Sequence, residues 1–363
     1  MNASLTESVV SGSEPPEQLR RRYRDMVVSG ARLRARDAAA ALGVSEGELL
    51  AAHVGETAHR LTPDFEAILG AVGELGRVMA LTRNEQCVHE RKGVYRNLSF
   101  SGGIGLAVDK DIDLRLFMSR WAHAFAVIEP RGDGVARSLQ FFDARGEAIH
   151  KIHLLEDSDV AAFERLVARF AAPVQQAGMA VSSREPDPAE PFDPPDGFDA
   201  AAFRADWDAL RDTHDFFAML KRHQVSRPAA FRQAGEARAM RLDVRAHRRV
   251  FEAARDRALP IMVFVGNPGC IQIHTGPVVN IKQLDDWFNV LDPEFNLHLR
   301  ESALGEAWLV RKPTADGVVT SVEVFDTEGR TVMYLFGARK PGQPENLAWR
   351  AIAEGLAAAG VAA

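Results

Sequence analysis

Cysteine is scarce in this chain, because its 363 residues include only Cys87 and Cys270. Two thiols cannot form a disulfide framework, which is typical of a protein from a reducing compartment. No apolar run approaches the roughly 20 residues that a membrane-spanning helix needs. The N-terminal residues also lack the basic start and apolar core of a secretion signal. We therefore expect a cytoplasmic protein that is not embedded in a membrane.

Several functional signatures are missing as well. The net charge of −6 argues against nucleic acid as the primary partner. The sequence has no G-x-S-x-G, Walker, C-x-x-C or H-E-x-x-H pattern, and the GGIG run at 102–105 is too short for a dinucleotide loop. Because Cys87 and Cys270 occupy equivalent places in two similar blocks, buried packing explains them better than catalysis.

Composition and length indicate a globular protein with two domains. Apolar residues make up 46% of the chain and charged residues 26%, and 363 residues exceed the size of one ordinary core. Residues 1–17 are polar and predict a disordered tail. Residues 182–200 are rich in proline and aspartate and predict a linker. The halves are then an N-terminal repeat at 18–181 and a C-terminal repeat at 201–363.

Helical and strand patterns follow one another in the first half. Gln18–Leu50 predicts helices, with one helix ending at Gly43 and the next capped by Ser45. From Arg77 onward, short alternating apolar runs separated by glycine, asparagine and aspartate predict strands and turns.

The two halves repeat the same residues at a constant offset of 183 positions. The matched pairs include Asn84 and Asn267, Cys87 and Cys270, Gly93 and Gly276, Leu114 and Leu297, Pro130 and Pro313, and Phe142 and Phe325. So many matches at one offset predict a tandem duplication. Each copy is an α+β unit, a helical stretch followed by antiparallel strands.

The copies differ at positions that are candidates for function. Arg115 in the first copy corresponds to His298 in the second, and Glu129 corresponds to Lys312. The segment around His214 has only a loose counterpart in the first copy, without a histidine. We therefore expect one site, in or near the second half.

His214 is the most informative histidine. Trp207, Leu210, His214 and Phe217 recur at steps of three and four, which predicts one shared helix face. Two interpretations fit. His214 is a core histidine bonded to a backbone carbonyl, the more common case, or it is an axial ligand of a flat, apolar, metal-bearing cofactor such as haem.

Haem also needs aromatic walls and cations for its two propionates. The second half offers candidates for both, although most basic residues are simply solvated. These candidates are Arg227, Lys312, Tyr334 and Arg339. A metal site between His150 and His153 is not expected, because a spacing of three on a strand places them on opposite faces.

Several longer runs resemble a known family. IMVFVGNPGCIQIHTGPV, NVLDPEFNLHLRE, AWLVRKPTADGVVTS, LFGARKPGQPE, THDFFAMLK, TRNEQCVHERKGVYRN and DLRLF are similar to the HemS/ChuS/HmuS family of bacterial cytoplasmic haemin-degrading and haem-transport proteins. The resemblance covers the chain outside the N-terminal tail and the linker.

The resemblance implies a fold and a set of site residues. The fold is a duplicated α+β structure with two large antiparallel β-sheets flanked by helices and a haem cleft between the halves. His214 falls on the axial ligand of the haem iron. Arg115 falls on the arginine that faces the other side of the iron, where it is catalytic. Arg227, Lys312, Tyr334 and Arg339 fall on or beside positions that line the pocket and hold propionates.

The resemblance also implies a function. The protein binds haem b and degrades it by oxidative ring opening to release iron, an oxidoreductase activity that needs an external electron donor. An inner-membrane haem ABC importer is the expected source of haem. The alternative is a haem chaperone that stores haem or passes it to a separate haem oxygenase without catalysis.

Overall fold

The computed structural model describes residues 14–30, 33–182, 190–340 and 342–360. Its helices are α1 (Pro16–Val28), α2 (Ala35–Leu42), α3 (Glu46–Ala51), α4 (Phe65–Val72), α5 (Val160–Phe170), α6 (Ala200–Asp208), α7 (Asp215–Arg222), α8 (Arg227–Ala234), α9 (Ala246–Asp256) and α10 (Leu347–Gly360). Within these ranges, no helix has the length and apolar composition needed to cross a membrane.

The strands fall into two runs along the chain. The first run comprises β1 (Ala58–Arg60), β2 (Arg77–Arg83), β3 (Cys87–Val94), β4 (Leu98–Ser101), β5 (Ile104–Val108), β6 (Asp113–Phe117), β7 (His123–Arg131), β8 (Gly134–Phe142) and β9 (Ala148–Leu154). The second comprises β10 (Ala239–Leu242), β11 (Ile261–Asn267), β12 (Cys270–Gly276), β13 (Ile281–Leu284), β14 (Trp287–Leu291), β15 (Phe295–Arg300), β16 (Leu304–Thr314), β17 (Gly317–Asp326) and β18 (Thr331–Gly337).

The predicted helix boundaries near Gly43 and Ser45 are confirmed. α2 ends at Gly43, whose φ of 73° is a left-handed conformation that glycine adopts without strain. The hydroxyl of Ser45 accepts a hydrogen bond from the backbone N–H of Glu48, and the Glu48 carboxylate accepts one from the backbone N–H of Ser45. This reciprocal capping box satisfies two N–H groups at the start of α3.

The chain forms two compact units. The first contains residues up to Thr82, Lys92–Pro186 and Asn267–Cys270, and the second contains Arg83–Arg91, Asp187–Gly266 and the chain from Ile271 onward. The first unit has the antiparallel strand order β1-β7-β8-β9-β2, and the second has β10-β16-β17-β18-β11. The meander β4-β5-β6 of the first unit corresponds to β13-β14-β15 of the second.

This matching order confirms the predicted α+β duplication with two antiparallel sheets and flanking helices. The haem cleft between the halves stays a prediction.

Two repeated asparagines perform the same structural task, each in one unit. The Asn84 side-chain oxygen accepts hydrogen bonds from the backbone N–H groups two and three residues later, and its amide donates to the Val332 carbonyl. Asn267 repeats both contacts and donates to the Ile149 carbonyl. Val332 and Ile149 are themselves 183 positions apart. The matches found in the sequence therefore reflect conserved turn geometry within the molecule.

The two cysteines are buried packing residues, as predicted. Cys87 lies in the apolar core of the second unit and Cys270 in that of the first. Burial raises the pKa of both thiols, that of Cys270 to about 12. Neither thiol is therefore a ready nucleophile.

A separate apolar cluster forms where α6, α7 and α8 cover one face of β16 and β17. Its largest members are Phe203, Trp207, Phe216, Phe231, Trp308 and Phe325. The indole N–H of Trp207 donates a hydrogen bond to the Arg311 carbonyl. This cluster fixes α7 on the sheet and thereby positions the residues that precede and begin that helix.

Candidate functional site

The predicted helix face that joins Trp207 to His214 and Phe217 is wrong. α6 ends at Asp208, and α7 begins only at Asp215. Trp207 and Leu210 are buried, whereas the side chains of His214 and Phe217 are exposed, His214 by 89% and Phe217 by 63%. The interpretation of His214 as a core histidine is therefore wrong as well.

The break before α7 has a local cause. The Asp212 carboxylate accepts a hydrogen bond from the backbone N–H of His214 at 2.9 Å. Such aspartate turns compete with helical hydrogen bonding, so the periodic pattern does not continue as a helix. Within the first turn of α7, Phe216 is fully buried, and this anchors the start of the helix.

The same carboxylate binds the imidazole of His214. Nδ1 of His214 lies 2.6 Å from Oδ1 of Asp212. The hydrogen bond from the His214 backbone N–H, together with the imidazole, lowers the pKa of Asp212. An ionised carboxylate at Nδ1 favours the tautomer in which Nε2 carries the lone pair. His214 is thus an exposed imidazole whose Nε2 is available to bind a metal.

Phe216 links His214 to a buried basic group. Its ring lies 4.5 Å from Nζ of Lys312 and 5.0 Å from the guanidinium carbon of Arg227, measured to the ring centroid. Cations over an aromatic face are attracted by its negative potential. His214 precedes Phe216 by two residues. One short segment therefore carries both the imidazole and the aromatic ring that packs against Lys312 and Arg227.

Glu323 stands at the centre of these cations. Its Oε1 accepts hydrogen bonds from Nζ of Lys312 at 2.6 Å and from the Ser321 hydroxyl at 2.9 Å. Both Lys312 and Glu323 are buried. Burial lowers the pKa of Lys312 to about 8. Burial alone would raise the pKa of Glu323, but Arg227 and Lys312 bring it below its ordinary value.

Arg227 and Tyr334 complete what we call the Glu323 cluster: Arg227, Lys312, Glu323 and Tyr334. Arg227 is the first residue of α8, which Ser226 caps, and its Nη1 donates a hydrogen bond to the Tyr334 hydroxyl at 2.7 Å. The guanidinium carbon lies 4.7 Å from the Tyr334 ring centroid. Tyr334 pairs with Glu323 across β17 and β18. Three of the predicted pocket residues therefore meet around one acid.

Arg339 lies apart from the Glu323 cluster. Its Nη1 is 3.8 Å from Oδ2 of Asp316 and donates a hydrogen bond to the Gln343 carbonyl. Arg339 also contributes to lowering the pKa of Asp212. This charge effect connects Arg339 with the Asp212–His214 pair.

Arg115 belongs to the first unit and is half-buried on β6. It forms an ion pair with Asp113 and donates a hydrogen bond to the Leu114 carbonyl at 3.2 Å. Its counterpart in the second unit, His298, contacts the side-chain oxygen of Asn289 at 2.6 Å. The role of Arg115 stays a prediction.

The first unit has a buried ion pair at the position that corresponds to Tyr334. Glu46 is the first residue of α3, as Arg227 is of α8, and Lys151 is 183 positions before Tyr334. Lys151 and Glu46 form a buried ion pair. Lys151 pairs with an acid in the first unit, whereas its counterpart Tyr334 accepts a hydrogen bond from Arg227 in the second.

A buried polar group is specific to the first unit. His150 contacts the Thr82 hydroxyl through Nδ1 at 2.8 Å and the Tyr95 hydroxyl through Nε2 at 2.6 Å. The corresponding residues of the second unit are Val265, Met333 and Val278. Burial lowers the pKa of His150 to about 3. The group is therefore a neutral structural network.

This network predicts acid sensitivity. The folded pKa of His150 lies below its unfolded value near 6.5, so only the unfolded chain binds the proton between these values and stability falls as pH falls. His150→Met, which inserts the residue of the second unit, should reduce the slope of unfolding free energy against pH by about 1 kcal/mol per pH unit between pH 6 and 4. Urea titrations across that range measure it. An unchanged slope would contradict the assignment.

Sequence reasoning missed Asp212 and Glu323. Asp212 stands two residues before His214, a spacing that allows an aspartate turn. Glu323 is a charged residue inside the apolar run TSVEVF, which signals a buried, paired charge. Among the described residues, no group of three or more His, Cys, Asp or Glu side chains could chelate a metal ion.

Comparisons with known proteins agree with the duplicated fold. The family described as "Haemin-degrading HemS.ChuX domain" matches twice, over residues 43–170 and 224–356. The hemin transport protein HmuS of Yersinia pestis is 41% identical over 317 residues, which are 87% of this chain and 90% of that protein.

Two solved structures are similar over nearly the whole chain. The first is holo-PhuS, a heme-binding protein from Pseudomonas aeruginosa, with a TM-score of 0.91, 54% identity, and coverage of 94% of this chain and 99% of that one. The second is ChuS, an E. coli heme oxygenase, with a TM-score of 0.84, 34% identity, and coverage of 93% and 99%. Matches of this extent, with two copies of the family domain, show that the chain belongs to the HemS/ChuS/HmuS family.

Proposed function

We propose that the protein binds haem b through Nε2 of His214. The observation that carries this proposal is the exposed imidazole whose Nδ1 is held by Asp212 at 2.6 Å. A single imidazole suffices for haem, because the four porphyrin nitrogens already bind the iron. The relatives described as heme-binding and hemin transport proteins support haem as the molecule that is bound.

The charges next to His214 suit the propionates of haem. Two cations and one acid leave the Glu323 cluster with a net positive charge when Lys312 is protonated. Arg227 carries the accessible part of that charge, because 21% of its side chain is exposed. Arg339 adds a second partly exposed guanidinium. Arginine is well suited to carboxylates because its donors match the two oxygens.

Asp212 is expected to strengthen the iron bond of His214. A carboxylate at the far nitrogen orients the ring and raises the basicity of the ligating nitrogen. Asp212→Ala should therefore weaken haemin binding by about tenfold, within the range found for such outer partners. Titration followed by the Soret band measures the affinity. Asp208→Ala serves as the control, because Asp208 lies at the end of α6 and pairs with Arg238. An equal loss of haemin affinity in both variants would contradict the role of Asp212.

We further propose that the protein degrades the haem it binds and releases the iron. When bound, haem would supply the iron for its own oxidative ring opening, with dioxygen as the oxidant and an external donor as the source of electrons. His214 holds the iron and Arg227 holds a propionate, so the chain orients the ring. The relative described as a heme oxygenase supports this activity. A cytoplasmic location and delivery by an inner-membrane ABC importer are parts of the same proposal.

The alternative function is a haem chaperone, which the relatives described as transport proteins support. Aerobic and anaerobic turnover of the haem complex with ascorbate, with and without catalase, distinguishes the two. A bilin product and free iron in the presence of catalase establish the enzyme. Product only without catalase, together with haem transfer to an added oxygenase, establishes the carrier. Arg115→Ala in the same assay tests the catalytic role of Arg115.

A further inference from the structure

The cations of the Glu323 cluster are not equally available to a ligand. Nζ of Lys312 donates to Glu323 at 2.6 Å, and the two side chains are 4% and 0% exposed. The ring of Phe216 covers the same amine at 4.5 Å. Lys312 is thus enclosed by its own acid and an aromatic ring, and it could reach a ligand only by leaving both.

Arg227 is held from two sides and remains partly open. Nη1 donates to the Tyr334 hydroxyl, and Nε lies 3.2 Å from Oε2 of Glu323. Both Nε and Oε2 lack a hydrogen bond of good geometry to any described residue, although they face each other as an ion pair. The Ser321 hydroxyl and Lys312 fix the other oxygen of the same carboxylate.

We propose that Glu323 is a positioning residue that holds the Arg227 guanidinium in place for a carboxylate of the ligand, and that Lys312 acts through Glu323 without touching the ligand. The inference rests on the proposed haem binding and names a residue that the family resemblance did not supply. In this arrangement Lys312 keeps Glu323 ionised and in place, Glu323 holds one edge of Arg227, and Tyr334 holds another.

Two physical effects of Glu323 have opposite signs, which makes the proposal testable. If the cluster acted only through its net charge, removing a buried negative charge would strengthen the binding of an anion. If Glu323 positions Arg227, its removal frees the guanidinium, and the affinity for the ligand falls because ordering it then costs conformational entropy. The direction of the change therefore identifies the mechanism.

The experiment compares wild type with Glu323→Gln, Lys312→Met and the double variant. Haemin and haemin dimethyl ester, which lacks both carboxylates, are titrated at pH 7. Glu323→Gln and Lys312→Met should each weaken haemin binding by about tenfold, the cost of one charged contact, and leave the ester unchanged. Because Lys312 acts through Glu323, the double variant should bind haemin about as well as Glu323→Gln alone.

The chain offers a tolerated substitution and a matched control. Gln140 stands 183 positions before Glu323 and donates to Ser138, so glutamine fits this strand position in the first unit. Glu306 is another buried acid on the sheet, paired with Arg232 and the Trp308 indole outside the Glu323 cluster. Glu306→Gln should bind haemin as wild type does. Urea unfolding of each variant confirms that it is folded at the titration temperature.

The outcomes separate this inference from the proposed function. Wild type that shows no Soret shift overturns both. Wild type that binds, with Glu323→Gln binding as tightly or more tightly, overturns the positioning role alone. If Lys312→Met still lowers the haemin affinity in the Glu323→Gln background, Lys312 contacts the ligand directly. That result overturns the proposal that Lys312 acts through Glu323. Weaker haemin binding without a change for the ester, and no further loss in the double variant, supports the inference.

Discussion

His214→Ala is expected to abolish the Soret shift that haemin produces on binding, and to weaken the affinity by more than about 100-fold. The imidazole is the single exposed donor that Asp212 prepares for a metal, with Nδ1 engaged at 2.6 Å. Alanine removes both the iron bond and the partner of Asp212. The fold should be unaffected, because the His214 side chain is exposed and packs in no apolar cluster of the described residues.

His223→Ala is the matched control for this experiment. His223 lies at the other end of α7 and, like His214, contacts an aspartate: its Nε2 is 2.9 Å from Oδ2 of Asp206. It differs by being mostly buried against Phe203. His223→Ala should retain the wild-type Soret band. If His214→Ala also retains it, the axial role of His214 is wrong.

Arg227→Met is expected to lower the affinity for haemin by roughly 10- to 100-fold, the value of a charged hydrogen bond. The effect should be absent for the dimethyl ester, because that ligand offers no carboxylate to the guanidinium. Methionine keeps much of the apolar stem that packs on Phe216 and Tyr334, so the change isolates the charge. Titrations with both ligands, at two salt concentrations, measure the effect.

Arg232→Met provides the comparison for Arg227→Met. Arg232 lies on the same helix, is half-buried, and pairs with the buried Glu306, outside the Glu323 cluster. It should alter stability without changing the preference for haemin over its ester. An equal loss of preference in both variants would indicate a general effect of helix charge and contradict a specific contact at Arg227.

The duplication was predictable from the sequence because its structural cause is local and repeated. Asn84 and Asn267 each hold the turn that follows them, and a side chain without that oxygen acceptor would leave backbone N–H groups unsatisfied. Such positions stay the same in both copies and appear at one offset. The helix boundary at Gly43 and Ser45 was predictable for a similar reason, since caps depend on the residues beside them.

The surroundings of His214 were not predictable from periodicity. The steps of three and four from Trp207 to Phe217 matched a helix face, but the carboxylate of Asp212 bonds the backbone N–H of His214 and ends that pattern. The spacing of apolar residues does not show whether a side-chain hydrogen bond or a continued helix is more stable, because the free energies of the two conformations differ by only about 1 kcal/mol.

The amino-acid sequence by itself determined that this protein is a tandem α+β duplication of the HemS/ChuS/HmuS family, and which positions differ between its copies. Only the tertiary structure decided that His214 is exposed and that Arg227, Lys312 and Tyr334 meet around Glu323. Arg227 and Tyr334 are 107 residues apart, so the strand pairing and the packing of α8 bring them together. A buried charge is stable only when it is paired, and the tertiary structure determines which residue is its partner. The spacing of residues along the sequence does not identify that partner.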